Sequence, residues 1–168
     1  PTTCRRQRQM CIRDRIKTAF VTGGSGHVGG NLVRKLLNHG WRVKCLVHKD
    51  LKALSNLKIE IVKGDLSDSK FLTEKMEGCD VVFHSAAYVA VENIDIPLMH
   101  EINVVGTKNI CQAAMDANIT KLIHFSSVHA FNQIPTNEPL DEKRPLVDTK
   151  NAPPYDKTKA AAQRIIYD

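Results

Sequence analysis

After Arg15 the apolar residues fall into short blocks separated by polar, glycine-punctuated stretches, and the blocks alternate between two spacings. "KTAFVT" (17–22), "WRVKCLV" (41–47), "KIEIV" (58–62), "DVVFHSAA" (80–87) and "KLIHFSS" (121–127) are short runs rich in apolar residues, a pattern that predicts strands. In "HVGGNLVRKLLNHG" (27–40), Val28, Leu32, Leu36 and Leu37 recur at helical spacing, with Gly40 as the stop. "DSKFLTEKMEG" (68–78) has the acidic start and glycine end of a helix, and 97–117 predicts one long helix. In "APPYDKTKAAAQRIIYD" (152–168) two prolines lead into good helix formers. Strands separated by helices of this length imply βαβ units, hence an α/β fold with a doubly wound parallel sheet. The polar, proline-rich stretch 132–154 predicts a long loop, a feature that compact domains usually keep for function.

Composition narrows the class. The chain of 168 residues is 42% hydrophobic and 25% charged, ordinary values for a globular protein, and is long enough for one domain with a sizeable core. No apolar run approaches the ~18 residues of a membrane span, and residues 1–15 contain no hydrophobic signal-like segment. Five scattered cysteines without a Cys-x-x-Cys pair point to reduced thiols and a cytoplasmic location. The seven histidines include no His-Glu-x-x-His, so no metal site is expected.

The net charge of +6 would suggest a nucleic-acid partner if it were spread over the fold. It is concentrated in "PTTCRRQRQMCIRDR" (1–15), where five arginines face one aspartate; without that +4 segment the charge falls to +2. Residues 1–15 read as a non-native or disordered leader, and 16–168 as the folded domain, with neither nucleic acid nor membrane as partner.

"VTGGSGHVGG" joins the first strand to the first helix. Gly23, Gly26 and Gly29 satisfy G-x-x-G-x-x-G, while Gly24, Gly26 and Gly29 also satisfy G-x-G-x-x-G. Such a turn lets the backbone approach a pyrophosphate, which then meets the unpaired N–H groups of the helix N-terminus. The strand–turn–helix context makes this motif specific where the pattern alone would not be.

With these landmarks the chain resembles the extended short-chain dehydrogenase/reductase family, the epimerase, dehydratase and reductase relatives. "TGGSGHVGG" is similar to the family's glycine motif, "GDL" (Gly64–Leu66) to its adenine-side motif and "DVVFHSAA" to its fourth strand. "NVVGTKNI" (Asn103–Ile110), "FSSVHAFN" (Phe125–Asn132) and "YDKTK" complete the set, in the family's order from Lys17 to Asp168. The resemblance implies a Rossmann-type sheet of strand order 3-2-1-4-5, with further strands and a substrate domain beyond Asp168. It assigns the dinucleotide to Gly23, Gly26, His27, Val28, Gly29, Asp65, Leu66, Ala86 and Ala87.

The end of the second strand separates the cofactors, since an acid takes the ribose 2′-OH and a cation the 2′-phosphate. The family's NAD-selecting acid falls on Val47, and His48 and Lys49 follow it, which favours NADP(H). Asp50 lies close enough to keep NAD(H) open.

A hydride exchanged at a carbon next to oxygen requires that oxygen's proton to move too. Tyr155 and Lys159, four residues apart, share a helix face. Tyrosine is a poor base at neutral pH, with a model value of ~10, and a neighbouring ammonium favours its phenolate. The resemblance makes Tyr155 the acid/base and gives Lys159 a second role on the nicotinamide ribose, so both are also cofactor contacts. It gives Ser127 the substrate oxygen and Asn103 a supporting place. Ser126 ranks behind Ser127 because strand alternation would turn it away. Relatives commonly read Val-Tyr-Gly where this chain has Ala130, Phe131 and Asn132, and His129 lies beside them, which opens the substrate class.

The reading is an NADP(H)-dependent oxidoreductase acting on a carbonyl or secondary alcohol of flavanone-like or steroid-like kind. The alternatives are a nucleotide-sugar epimerase or dehydratase with retained NAD, and a non-catalytic dinucleotide sensor. A homodimer through the Tyr155 helix is a further implication of the resemblance.

Overall fold

The computed structural model describes residues 15–90 and 92–168. The expected leader therefore lies outside the described residues, apart from Arg15, whose guanidinium meets the Asp80 carboxylate.

Five strands form one parallel sheet: β1 (Thr18–Thr22), β2 (Arg42–Val47), β3 (Glu60–Lys63), β4 (Val81–His84) and β5 (Lys121–His124). Their order is β3-β2-β1-β4-β5, as expected from the sequence. Every residue of β1 is buried because it is central and covered on both faces. Alternation along it feeds two cores. Phe20 packs with Leu46, Val62 and Val82 against Leu72 and Met76 of α2 (Ser69–Met76) and Ile110 and Ala113 of α4 (Gly106–Asp116). Ala19 and Val21 pack with Val43 and Cys45 against Val33 and Leu36 of α1 (His27–Asn38).

Three expectations are corrected. Val28, grouped by spacing with Leu32, Leu36 and Leu37, is 54% exposed, while Val33 and Leu36 are buried together with Gly29 and Gly30. The first turn of α1 is pressed so closely on the glycine turn that only glycines fit beneath it. The helix expected over 97–117 is interrupted: α3 (Ile96–His100) passes through a π-turn at Glu101–Val105 into α4. The wider turn carries Asn103 into the interior, as such bulges often do at functional sites. Finally, β4 and β5 are each four residues long, and their pairing ends at His84 and His124, short of the ends of their runs. Ser127 therefore caps a 3₁₀ turn, Val128–Ala130, instead of ending a strand, and strand alternation does not decide between it and Ser126.

The loop 132–154 is tied at several points. Phe131 bridges to Leu146, Arg144 donates to the carbonyls of Pro135 and Glu138, and Val147 is buried. It leads into α5 (Pro154–Tyr167), the helix carrying Tyr155 and Lys159, with proline in its first turn as the sequence predicts.

Candidate active site

The chain crosses from one side of the sheet to the other around β1, so a crevice opens at the carboxyl ends of the strands. A cleft of about 330 Å³ lies there. Of the residues expected at the cofactor, Gly23, Gly26, His48, Asp65, Leu66, Ala86 and Ala87 line it. Gly64, which opens the "GDL" motif, lines it as well, and Thr22, Ser25, Leu46, Ser85 and Ile102 complete the lining without having been assigned to the cofactor from the sequence. His27, Val28 and Lys49 are exposed outside that lining, and Gly29 is buried behind the turn.

The turn is built from close backbone contacts. Gly23 has φ +70°, and a Cβ there would stand 2.5 Å from the amide nitrogen of Ala86. A Cβ on Gly29 would stand 2.2 Å from the Gly23 carbonyl oxygen. The Gly26 N–H donates to that same carbonyl at 3.0 Å, closing the turn. Gly26 is the N-cap of α1 and offers no side-chain oxygen to its first N–H groups, and the first turn has no acid. Unpaired donors with the positive helix end behind them suit a phosphate anion, so the residues present fit a dinucleotide.

In the loop after β3, Asp65 accepts from both the N–H (2.8 Å) and the hydroxyl of Ser67 (2.5 Å). Those bonds hold its carboxyl below the usual carboxylate range. Asp50, the nearest acid after β2, accepts from the Lys52 N–H at 2.8 Å at the entry to a 3₁₀ turn, Lys52–Leu54.

Tyr155 and Lys159, also expected at the cofactor, and Ser127 lie outside the lining of that cleft. Lys159 is 3% exposed and its Nζ donates to the Phe125 carbonyl at 2.8 Å. Burial pulls its ammonium below the ordinary lysine range. Ser127 lies two residues beyond Phe125, and its Oγ accepts from the His129 N–H at 3.2 Å. The His129 ring stands edge-on to Tyr155, with centroids 6.1 Å apart. Ser127, Tyr155 and Lys159 are thus gathered around the junction of β5 and α5. Asn103 donates to the Tyr88 carbonyl (3.0 Å) and to the Thr158 hydroxyl (3.1 Å), and accepts from the Tyr88 N–H (2.7 Å). It ties the loop after β4 to α5.

The sequence reading did not anticipate a buried histidine pair beneath these groups. His84 and His124 are register partners on β4 and β5, with ring centroids 5.3 Å apart. His84 is fully buried between the hydroxyls of Thr22 (Nδ1, 2.7 Å) and Thr107 (Nε2, 3.0 Å). Thr107 spends its proton on the Asn103 carbonyl at 2.7 Å, so its oxygen accepts from Nε2–H, and Thr22 donates to Nδ1. That is the tautomer a neutral ring takes here. Burial, then His124, then Lys159 push it down to about 3; burial and then Lys159 push His124 down to about 4. Both ring nitrogens of His124 are buried without a partner among the described residues.

Because these folded values lie below the unfolded ~6.5, the unfolded chain binds the extra protons. Stability is complete above about pH 6.5 and falls as pH drops towards 3. We expect thermal midpoints to fall across that window, and a His84→Gln variant to show a flatter midpoint-against-pH curve than the parent.

Among the described residues no three His, Cys, Asp or Glu side chains come together as a metal site. No described helix is long and apolar enough to cross a membrane.

Comparison with known proteins decides the family. The model of the NAD dependent epimerase/dehydratase family matches residues 19–168. The chain belongs to that family. It is 33% identical over 151 residues to sterol demethylase protein B of Methylococcus capsulatus, covering 89% of this chain and 46% of that protein. It is 41% identical over 125 residues to a putative dihydroflavonol 4-reductase of Synechocystis, covering 73% of this chain and 36% of that one. Among solved structures, gox2253 superposes with a TM-score of 0.82 at 32% identity, over 89% of this chain and 46% of its own. DesIV, the dTDP-glucose 4,6-dehydratase of Streptomyces venezuelae solved with NAD, superposes with a TM-score of 0.78 at 27% identity, over 88% of this chain and 50% of its own. The chain thus spans half or less of the length of these relatives. Its epimerase/dehydratase kinship and its Rossmann-type sheet agree with the resemblance read from the motifs.

Proposed function

We propose that this chain is the dinucleotide-binding part of an NADP(H)-dependent oxidoreductase acting on a carbonyl or secondary alcohol. The observation that carries the reading is Lys159, a buried ammonium held by the Phe125 carbonyl between the turn that bears Ser127 and the helix that bears Tyr155. A cation buried there is costly unless its charge is used. The dinucleotide, when bound along the cleft, supplies or accepts the hydride. Ser127, whose Oγ already accepts from the His129 amide, keeps its own proton to donate to the substrate oxygen. Tyr155 gives that oxygen its proton on reduction and takes it on oxidation, and Lys159 stabilises the phenolate left behind.

Three features support NADP(H). His48 lines the cleft, the Lys49 that follows it is exposed, and the Asp50 carboxylate is engaged by the Lys52 amide. Relatives named as reductases, including cinnamoyl-CoA reductase 1 of Petunia hybrida at 35% identity, favour net redox chemistry on an aromatic or polycyclic carbonyl. Retained NAD, as in an epimerase or dehydratase, is the second reading, and the NAD-bound DesIV neighbour favours it.

Titration calorimetry with NADP⁺ and NAD⁺ tests the cofactor. We expect NADP⁺ to bind about tenfold tighter, a difference of ~1.4 kcal/mol; tighter NAD⁺ binding would overturn the assignment to His48 and Lys49. Reduced-nicotinamide absorbance with the full-length protein tests the chemistry, because an oxidoreductase consumes the cofactor and an epimerase converts substrate without net consumption.

A further inference from the structure

The stretch that leaves β5 is fastened at both ends. At its start the Phe125 carbonyl accepts from Lys159 of α5 at 2.8 Å. At its far end Ala130 is fully buried, and its carbonyl accepts from the Val147 amide at 2.9 Å. Between these points the chain arches to the surface, with Val128 60% exposed and the His129 side chain 55% exposed. The Val128 carbonyl accepts from the Gln133 side chain at 2.7 Å, a tie within the loop that does not reach α5. Ser127 sits on this arch, and its Oγ accepts from the His129 amide at 3.2 Å.

Among the described residues of the arch, His129 is the one whose polar side chain meets α5. Its Nδ1 lies 3.3 Å from Oδ1 of Asp156, a carboxylate only 11% exposed. Asp156 follows Tyr155 directly and lies in the first turn of α5, where the positive helix end suits an acid. The pair attracts whether the ring is charged or is neutral with its hydrogen on Nδ1. The same ring stands edge-on to Tyr155, with centroids 6.1 Å apart. One residue thus holds the serine through its backbone and the tyrosine's helical turn through its side chain.

We propose that His129 and Asp156 form a clasp that sets the Ser127 hydroxyl against Tyr155, which makes both of them positioning residues. This rests on the roles of Ser127 and Tyr155 proposed above, and the clasp itself neither gives nor takes a proton in the reaction. The His129 amide occupies a lone pair of the Ser127 oxygen and leaves the hydroxyl proton for the substrate. The imidazole, drawn down onto Asp156, keeps that amide in register with the first turn of α5. Without it the serine can shift, and a displacement of ~1 Å in a reacting constellation costs up to ~10²-fold in rate.

The test uses the full-length protein with NADPH, or NADH if that is the tighter ligand, and benzil as the carbonyl probe. His129→Ala and Asp156→Ala are each expected to lower kcat ~10-fold with the KM for the dinucleotide unchanged. His129→Asn, whose side-chain amide can donate to Asp156 from near the place of Nδ1, is expected to recover most of that loss. Because the clasp acts through the serine, His129→Ala added to Ser127→Ala is expected to change kcat less than ~2-fold. Hydrogen exchange, which needs no substrate, is expected to quicken ~10-fold at the His129 amide in Asp156→Ala. Parental kcat in both His129→Ala and Asp156→Ala, an equal loss with and without the serine, or an unchanged exchange rate would overturn the proposal. Ser127→Ala separates the two levels. A large loss there beside an unimpaired His129→Ala overturns the clasp alone, whereas parental kcat in Ser127→Ala overturns the serine's role and the clasp's function with it.

Discussion

Tyr155→Phe is expected to bind the dinucleotide as the parent does and to lose ~10²–10⁴-fold in turnover, the usual contribution of a positioned acid or base. The substitution removes one hydroxyl from a half-buried ring and leaves the ring's edge contact with His129 available. It leaves the backbone of α5 and the Lys159–Phe125 contact in place. The expected stability loss is at most ~1 kcal/mol, since the hydroxyl has no protein partner among the described residues. Cofactor affinity by calorimetry and turnover by reduced-nicotinamide absorbance separate binding from chemistry. Parental turnover in a variant with parental affinity would remove the tyrosine from the mechanism. Lys159 does not offer so clean an experiment, because deleting a buried cation orphans the Phe125 carbonyl as well.

Gly23→Ala is expected to abolish measurable dinucleotide binding and to destabilise the domain. The left-handed backbone at φ +70° costs a side-chain-bearing residue ~1–3 kcal/mol. The new Cβ would also meet the Ala86 backbone nitrogen at 2.5 Å and its Cα at 2.7 Å, so the turn and the end of β4 must separate. These are backbone atoms in the cleft wall, with no flexible side chain to yield. A thermal midpoint lowered by several degrees, together with affinity reduced at least ~10²-fold (~2.7 kcal/mol), is the expected result. Gly26→Ala is the contrasting control: its Cβ would lie 3.3 Å from the Gly23 carbonyl, and its φ is −80°. A smaller effect there would show that the turn, more than glycine content, carries the site. Equal tolerance at both positions would contradict the close approach of this turn to β4.

Much of this was legible in the residues because it depends on short-range pattern. The strand and helix blocks, the Asp68 cap that accepts from the Phe71 amide, and the proline entry to α5 follow from neighbouring side chains and backbone donors. Where the reading strayed, a distant partner had intervened. Val28 has helical spacing, but the first turn of α1 lies on the glycine turn and faces away from the core. Residues 97–117 look like one helix, but a wider turn at Glu101–Val105 sets Asn103 against Tyr88 and Thr158. Ser127 looked like a strand end, yet β5 stops with its partner β4, and the serine becomes the cap of the next turn.

By itself, then, the sequence determined the order of elements, the parallel sheet, the glycine turn and the four-residue interval from Tyr155 to Lys159. Each of these is encoded in periodicity or in the conformational needs of adjacent residues. Tertiary structure alone decided that Lys159 is fastened to the Phe125 carbonyl, that His84 spans Thr22 and Thr107, and that Asp156 faces His129. Those contacts join residues far apart along the chain, and only strand register and helix packing bring them within reach of a hydrogen bond or a charge.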